Sequence, residues 1–251
     1  PMPQYICLQE AESTNTRMKA MASQLPSGSV IYTPCQTAGR GQKGNTWESE
    51  PGKNLAFSFL LKNPNLAANE QFYISEACSL AVLDTLSAFA NGFKIKWPND
   101  IYHNDDKICG ILIENALFDK RIGYSIIGIG ININQERFVS DAPNPISLKN
   151  ITGSDYDLHE LLTNVCQRIE ALCDFSQARP ASLAALHSRF MANLYRADGK
   201  MHSWELPDGT RFDATISGIA PDGILTLTDA SGESRNFAFK EVKHVIKNIT
   251  L

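Results

Sequence analysis

The 251-residue chain predicts an α+β fold, a mixed β-sheet flanked by helices and followed by a small all-β unit. Three observations carry this. Short β-rich runs alternate with long helical periodicities as far as Tyr195, which marks a sheet with helices packed on it. From Gly199 onward short strands are separated only by the turns PDGT, APDG and ASGE. Composition is ordinary for a globular chain, 43% hydrophobic and 20% charged with 16 Gly and 12 Pro, and the length suits one to two domains.

Tyr5 to Leu8 reads as a short strand, and Ser13, Thr14 and Asn15 read as caps for a helix from about Thr16 to Leu25. Val30 to Cys35 is a second strand. Gln36 to Thr46 is polar and glycine-rich, so it reads as a loop before the next strand, Asn54 to Leu61. There Leu55, Phe57, Phe59 and Leu61 alternate as in a half-buried strand. Asn69 to Asn91 carries apolar residues at helical spacing and stops at Gly92. Phe93–Trp97, Ile108–Leu117 and Gly123–Ile133 read as a meander of three strands. Pro143 and Pro145 interrupt the chain before two amphipathic helices, Asp157 to Phe175 and Ala181 to Tyr195. In the tail, Arg211–Ser217, Ile224–Thr228 and Asn236–Phe239 are strands. We place the boundary near Ala197, giving units 1–197 and 198–251.

The charge balance excludes several functions. Lys and Arg total 23 against 27 Asp and Glu, a formal charge of -4, so no global field draws nucleic acid or an anionic membrane. The tail has six basic and seven acidic residues. Six cysteines at irregular spacing, without a CxxC pair, read as reduced core thiols rather than a zinc or disulfide framework. The N-terminus lacks the basic and apolar regions of a signal peptide, and no apolar run approaches about 18 residues. A cytoplasmic location is expected. The five histidines are scattered, without HExxH or GxSxG, which leaves zinc and serine hydrolase chemistry unsupported.

Four segments carry chemistry. Gly39-Arg40-Gly41-Gln42-Lys43-Gly44-Asn45 places three glycines and two cations in a loop, which suits an anion approached by backbone N–H groups. It is not a P-loop, because Asn45 replaces the required Lys. A flexible surface turn is the other reading. Lys96-Trp97-Pro98-Asn99-Asp100 presents a carboxylate that could hold Mg²⁺ against phosphates; an Asx turn is its structural alternative. Lys107 stands at the mouth of the apolar run to Glu114. It would stabilise charge developing in a dry pocket or snorkel to the surface. In Gly128-Ile129-Gly130-Ile131-Asn132-Ile133-Asn134, small residues allow a flat ring to lie on the strand, with Asn132 reading its edge. The Rossmann fingerprint is absent, since Ile133 stands at the third glycine position.

In this order, Ser13-Thr14-Asn15, GRGQKGNTW, KWPND, KICGILIE and GIGININ together resemble the biotin protein ligase family over nearly the whole chain. The resemblance implies a class II aminoacyl-tRNA synthetase/biotin synthetase-like catalytic domain with a small C-terminal SH3-like β-barrel. It implies ATP-dependent activation of biotin to biotinyl adenylate, then transfer to a lysine of a biotin carboxyl carrier domain, with Mg²⁺ and often as a homodimer. By resemblance Lys107 and Arg40 are catalytic. Ser13, Thr14, Asn15, Gln36, Gly39, Gly41, Gln42, Lys43, Lys107, Gly110 and Ile111 would bind biotin, with Ser13, Thr14 and Gln36 on its ureido ring. Arg40, Gln42, Lys43, Asn45, Trp47, Gly130, Asn132 and Asn134 would hold ATP and the adenylate. Asp100 is the Mg²⁺ candidate. Trp47 either shapes the glycine-rich loop or is structural.

Many members have Arg where this chain has Gln42, which implies looser retention of the adenylate. Only twelve residues precede Ser13, so the form expected is monofunctional, without an N-terminal DNA-binding domain and without specific DNA binding. The rival enzyme is a lipoate protein ligase, which runs the same adenylation, although its substrate offers no ureido group to the polar set. A non-catalytic biotin sensor is the reading from another class, and Lys107 and Arg40 argue against it.

Overall fold

The computed structural model describes residues 2–41, 46–140, 142–177 and 179–246. Seven strands form one sheet: β1 (Tyr5–Cys7), β2 (Val30–Tyr32), β3 (Leu55–Lys62), β4 (Phe93–Lys96), β5 (Asp100–His103), β6 (Asp106–Phe118) and β7 (Arg121–Ile131). Their spatial order is β1-β2-β3-β7-β6-β5-β4. β1 and β2 pair in parallel and every other pair is antiparallel, so the sheet is mixed. The parallel pair is joined by α1 (Thr14–Met21), the crossover such a pair requires.

The helices α2 (Phe72–Ser87), α3 (Leu148–Thr152), α4 (Leu158–Leu172) and α5 (Pro180–Ala192) follow. Asp157 caps α4 by accepting from the His159 and Glu160 N–H groups, and Pro180 opens α5. Ser13 sits at the N-cap of α1 but makes no side-chain cap bond. The side chains of Thr14 and Asn15 do not cap the helix either, being bonded to Ser58 and Glu114.

β3 departs from the half-buried strand expected. Seven of its eight residues are buried, since helices cover both faces of the sheet centre. On one face Leu60 packs with Met18, Ala22, Leu25, Ile31 and Ile126 beneath α1. On the other, Phe57 and Phe59 join Ile111, Ile127 and Ile129 in the main core with α2 and α4. Strand β5 and helix α3, absent from the sequence reading, are short elements whose apolar positions are too few to show a period.

A second sheet contains β8 (His202–Glu205), β9 (Arg211–Ile219), β10 (Leu225–Asp229), β11 (Ser234–Phe237) and β12 (Lys243–His244), all antiparallel, in the order β11-β10-β9-β8-β12. Its apolar residues Trp204, Ala214, Leu225, Leu227 and Phe237 are continuous with the main core. Polar ties reinforce the junction: Trp97 Nε1 donates to the Gly223 carbonyl at 3.0 Å, and Arg196 Nη1 donates to that of Val245 at 3.0 Å. Four cysteines are buried core thiols as expected, whereas Cys7 is exposed and Cys35 half-buried. Among the described residues, no helix is long and apolar enough to cross a membrane.

Candidate active site

A cavity of about 650 Å³ opens on the α1 face of the large sheet, within the range of small-molecule sites. The pleat explains its floor. Gly110 pairs with Gly130, and Leu112 with Gly128, across β6 and β7. Alternate residues of a strand share a face, so the cavity face of both strands is largely stripped of side chains. Two groups fill the space. A Cβ on Gly128 would lie 2.3 Å from Asn15 Oδ1, and one on Gly130 would lie 2.5 Å from Trp47 Nε1; one on Gly110 would meet the same indole at 3.1 Å. Trp47 thus lies on the bare strands, where the sequence pattern expects a flat ring.

At one end, Ser13, Thr14, Asn15 and Gln36 come together. The Thr14 N–H donates to Gln36 Oε1 at 3.0 Å, which leaves the Gln36 NH₂ as a donor. Asn15 Nδ2 donates to Glu114 Oε2 at 2.9 Å, and this fixes Oδ1 toward Ser58 Oγ at 2.6 Å. That oxygen has no proton, so the contact uses the Ser58 hydroxyl proton. The 2.8 Å contact between Ser58 and Thr14 then takes the Thr14 proton, and Thr14 Oγ1 is left as an acceptor. A donor on the half-buried Gln36 and an acceptor on the buried Thr14 therefore stand on the same wall.

At the other end stand the charges. Lys107 Nζ pairs with Asp100 Oδ2 at 2.8 Å and lies 5.8 Å from the Trp47 ring. Both side chains line the cavity, with Arg40, Gly41 and the buried Asn99. Burial pushes the nearby Lys96 ammonium down; Asp100 draws it back up, and Lys107 and Arg196 depress it further. Arg40 Nη2 donates to Thr16 Oγ1 at 2.9 Å, which ties the start of the glycine-rich loop to α1. Asn132 Nδ2 donates to the Ile146 carbonyl at 3.1 Å, while its Oδ1 and the Trp47 indole N–H are buried without partners. Both line the cavity, and buried polar atoms left unmatched are positions where a ligand can supply the partner.

Three expected residues take other places. Gly39 is not on the wall; a Cβ there would lie 2.6 Å from the Trp47 carbonyl and 2.9 Å from Gln36 Nε2, so its lack of a side chain serves the loop's own packing. Asn134, expected at the adenylate, instead clasps the Tyr156 backbone, donating to its carbonyl and accepting from its N–H, both at 2.9 Å. Ile111 borders the cavity, but its side chain belongs to the core cluster on the opposite face; Leu112 has the apolar position on this one. Gln42, Lys43 and Asn45 lie outside the described residues. The sequence reading presents the Asn99 carboxamide beside Asp100 at the end of KWPND but gives it no role in the site. It also missed Glu48 and the segment with Phe138 and Ser140, all on the cavity wall, for which no local pattern gives a signal.

Comparison with known proteins gives a family. The model of the biotin/lipoate A/B protein ligase family matches residues 5–132. The bifunctional ligase/repressor BirA of Bacillus spizizenii is 33% identical over 156 residues, 61% of this chain, which spans only 46% of that relative. The biotin–[acetyl-CoA-carboxylase] ligase of Mycobacterium tuberculosis is 26% identical over 93% of this chain and 86% of its own length. Among solved structures, the biotin protein ligase from Aquifex aeolicus in complex with biotin and ATP superposes with a TM-score of 0.79. It is 25% identical, covering 98% of this chain and 100% of that one.

Proposed function

The chain belongs to the biotin/lipoate A/B protein ligase family, and from that premise we propose that it is an ATP-dependent biotin protein ligase. One observation carries the proposal: a single cavity joins a donor–acceptor pair, the half-buried Gln36 and the buried Thr14, to a cationic end at Lys107 and Arg40. A ureido ring needs both an acceptor for N–H and a donor for C=O, while its attached carboxylate and a nucleotide phosphate need cations.

In the first step a biotin carboxylate oxygen attacks the α-phosphorus of ATP and pyrophosphate leaves. Two anions must be brought together, so the gain comes from positioning and from cations already in place. Lys107 is set for this once it exchanges Asp100 for substrate oxygens, and Arg40 stands on the same wall. The adenine ring would share the glycine floor with Trp47, matching the unpaired Asn132 Oδ1 and Trp47 indole N–H. In the second step a carrier lysine amine attacks the acyl carbon; AMP leaves with the bonding pair and the amine loses a proton.

The donor set for Mg²⁺ is small. Among the described residues no cluster of three His, Cys, Asp or Glu could hold a metal by itself, so Asp100 fits an ion that arrives with nucleotide phosphates, as Mg²⁺ does. Bound there, it would neutralise phosphate charge.

The same reading divides the chain into a catalytic unit, 1–197, and a small β unit, 198–251. It takes the partner to be the biotin carboxyl carrier domain of a carboxylase and the location to be the cytoplasm. It includes a homodimer, and the formal charge of -4 supports an absence of specific DNA binding.

ATP–pyrophosphate exchange with biotin, lipoate or no acid tests the proposal, with Lys107→Ala as control. Exchange with biotin alone, lost in the variant, is expected. Exchange with lipoate instead would move the chain to the other branch of the family, and biotin binding without exchange would make it a sensor.

A further inference from the structure

We propose that Glu48 is a positioning residue that latches the segment 137–140 to the stretch of chain that follows the glycine-rich loop, so that two walls of the cavity's nucleotide end are held as one piece. The inference rests on the ligase reading for what the cavity binds, but the latch itself stands on geometry.

Glu48 follows Trp47 directly. This stretch is fixed to the start of the glycine-rich loop by the Trp47 N–H, which donates to the Gly39 carbonyl at 2.9 Å, and by a bridge between Arg40 and Thr46. From there the Glu48 carboxylate reaches a chain segment some ninety residues away in sequence. It accepts from the Val139 N–H at 3.0 Å, from the Ser140 N–H at 2.8 Å and from Gln135 Nε2 at 3.1 Å. Gln135 is itself buried and anchored. Its Oε1 accepts from Asn54 Nδ2 at 2.6 Å and from the Glu50 N–H at 3.0 Å, and its Nε2 also donates to the Arg137 carbonyl at 2.8 Å.

An ionised carboxylate accepts only, and here every protein partner is a donor. The segment it holds is exposed and irregular: Val139 is 91% exposed, and residues 136–140 belong to no helix or strand, although Asn150 Nδ2 donates to the Glu136 carbonyl at 3.2 Å and Lys149 pairs with the Glu136 carboxylate at 3.5 Å. Phe138 and Ser140 nevertheless line the cavity, as do Trp47 and Glu48 on the facing side. Among the described residues, the Gln135 contact at Arg137 is the one other hydrogen-bonded tie between residues 136–140 and the Trp47 side.

Glu48→Gln keeps the shape but turns an NH₂ group toward donors. Arg137 is exposed within the segment, so trypsin cleavage after it, followed by mass spectrometry, reads the latch without any ligand. Cleavage after Lys200, in an exposed turn of the other unit, is the internal reference for folding. Losing charge-assisted bonds to two N–H groups should speed cleavage after Arg137 by about tenfold and leave Lys200 unchanged. In pyrophosphate exchange the KM for ATP should rise about fivefold with kcat held within about twofold, the signature of lost uniform binding. Unaltered cleavage after Arg137 overturns the latch; faster cleavage with an unmoved KM for ATP overturns the positioning role. A wild-type protein that exchanges with no acid refutes the ligase reading instead, and the cleavage result still decides the latch.

Discussion

Replacing His244 by Phe should remove a defined part of the pH dependence of stability. His244 on β12 is buried, and neither ring nitrogen has a hydrogen-bond partner. Its ring lies 3.8 Å from that of Trp204 and meets Tyr195 edge-on at 5.3 Å. Burial first, then the charges of Lys96, Arg196 and His202, push its pKa from 6.5 down to about 2. The folded protein therefore keeps the ring neutral, while the unfolded chain takes up a proton as the pH falls through about 6.5. Because the folded value is the depressed one, the stabilisation is fully present above the unfolded pKa and is lost progressively as the pH falls toward the folded one. Between pH 7 and pH 5, linkage sets that loss at about 2 kcal/mol. Urea unfolding of both proteins at the two pH values isolates it, since other titrating groups contribute equally and cancel. Phe keeps a planar ring beside Trp204 and deletes two unpartnered nitrogens, so relative to wild type the variant should gain about 2 kcal/mol on going from pH 7 to pH 5. Equal losses in the two proteins would mean that the native ring is protonated as easily as a solvated one, and the reasoning would fail.

Three further outcomes are expected. Asp100→Asn releases Lys107 from its 2.8 Å pair and should tighten biotin binding without ATP by about threefold while weakening exchange with MgATP; calorimetry showing both weakened would refute the competition. Gly130→Ala places a methyl 2.5 Å from the Trp47 indole, an overpacking that should lower stability by about 1–3 kcal/mol in chemical denaturation; an unchanged midpoint would refute the close approach. Asn15→Ala leaves Ser58 and Glu114 without their amide partner and should lower stability by about 1–3 kcal/mol in chemical denaturation.

The site was legible where its chemistry is written in contiguous residues. Ser13 to Asn15, Gln36, Arg40, Asp100, Lys107, Gly110, Gly130 and Asn132 all reach one cavity, and glycines on β6 and β7 announced a bare surface. What the sequence concealed depends on pairing. Ile111 and Leu112 are equally apolar, and only the register of β6 against β7 decides which faces the cavity. Asn134 lies in the same motif as Asn132, yet the Tyr156 backbone captures its amide. Glu48 looks like any surface carboxylate until the chain returns at Val139 and Ser140. The burial of β3 on both faces was hidden likewise, because α1 and α2 arrive from distant stretches of chain.

The bare strands under Trp47 also give the protein an optical property. Of its three tryptophans, Trp97 and Trp204 donate to the carbonyls of Gly223 and Ala214 in the core. Only Trp47 lines the cavity as well as carrying an unmatched indole N–H. Any occupant of that floor must stack on the chromophore, displace it or bind its N–H, and each event alters emission from this one residue over a constant background from the other two. The chain thus carries its own fluorescent reporter for the filling of its cavity, without a label.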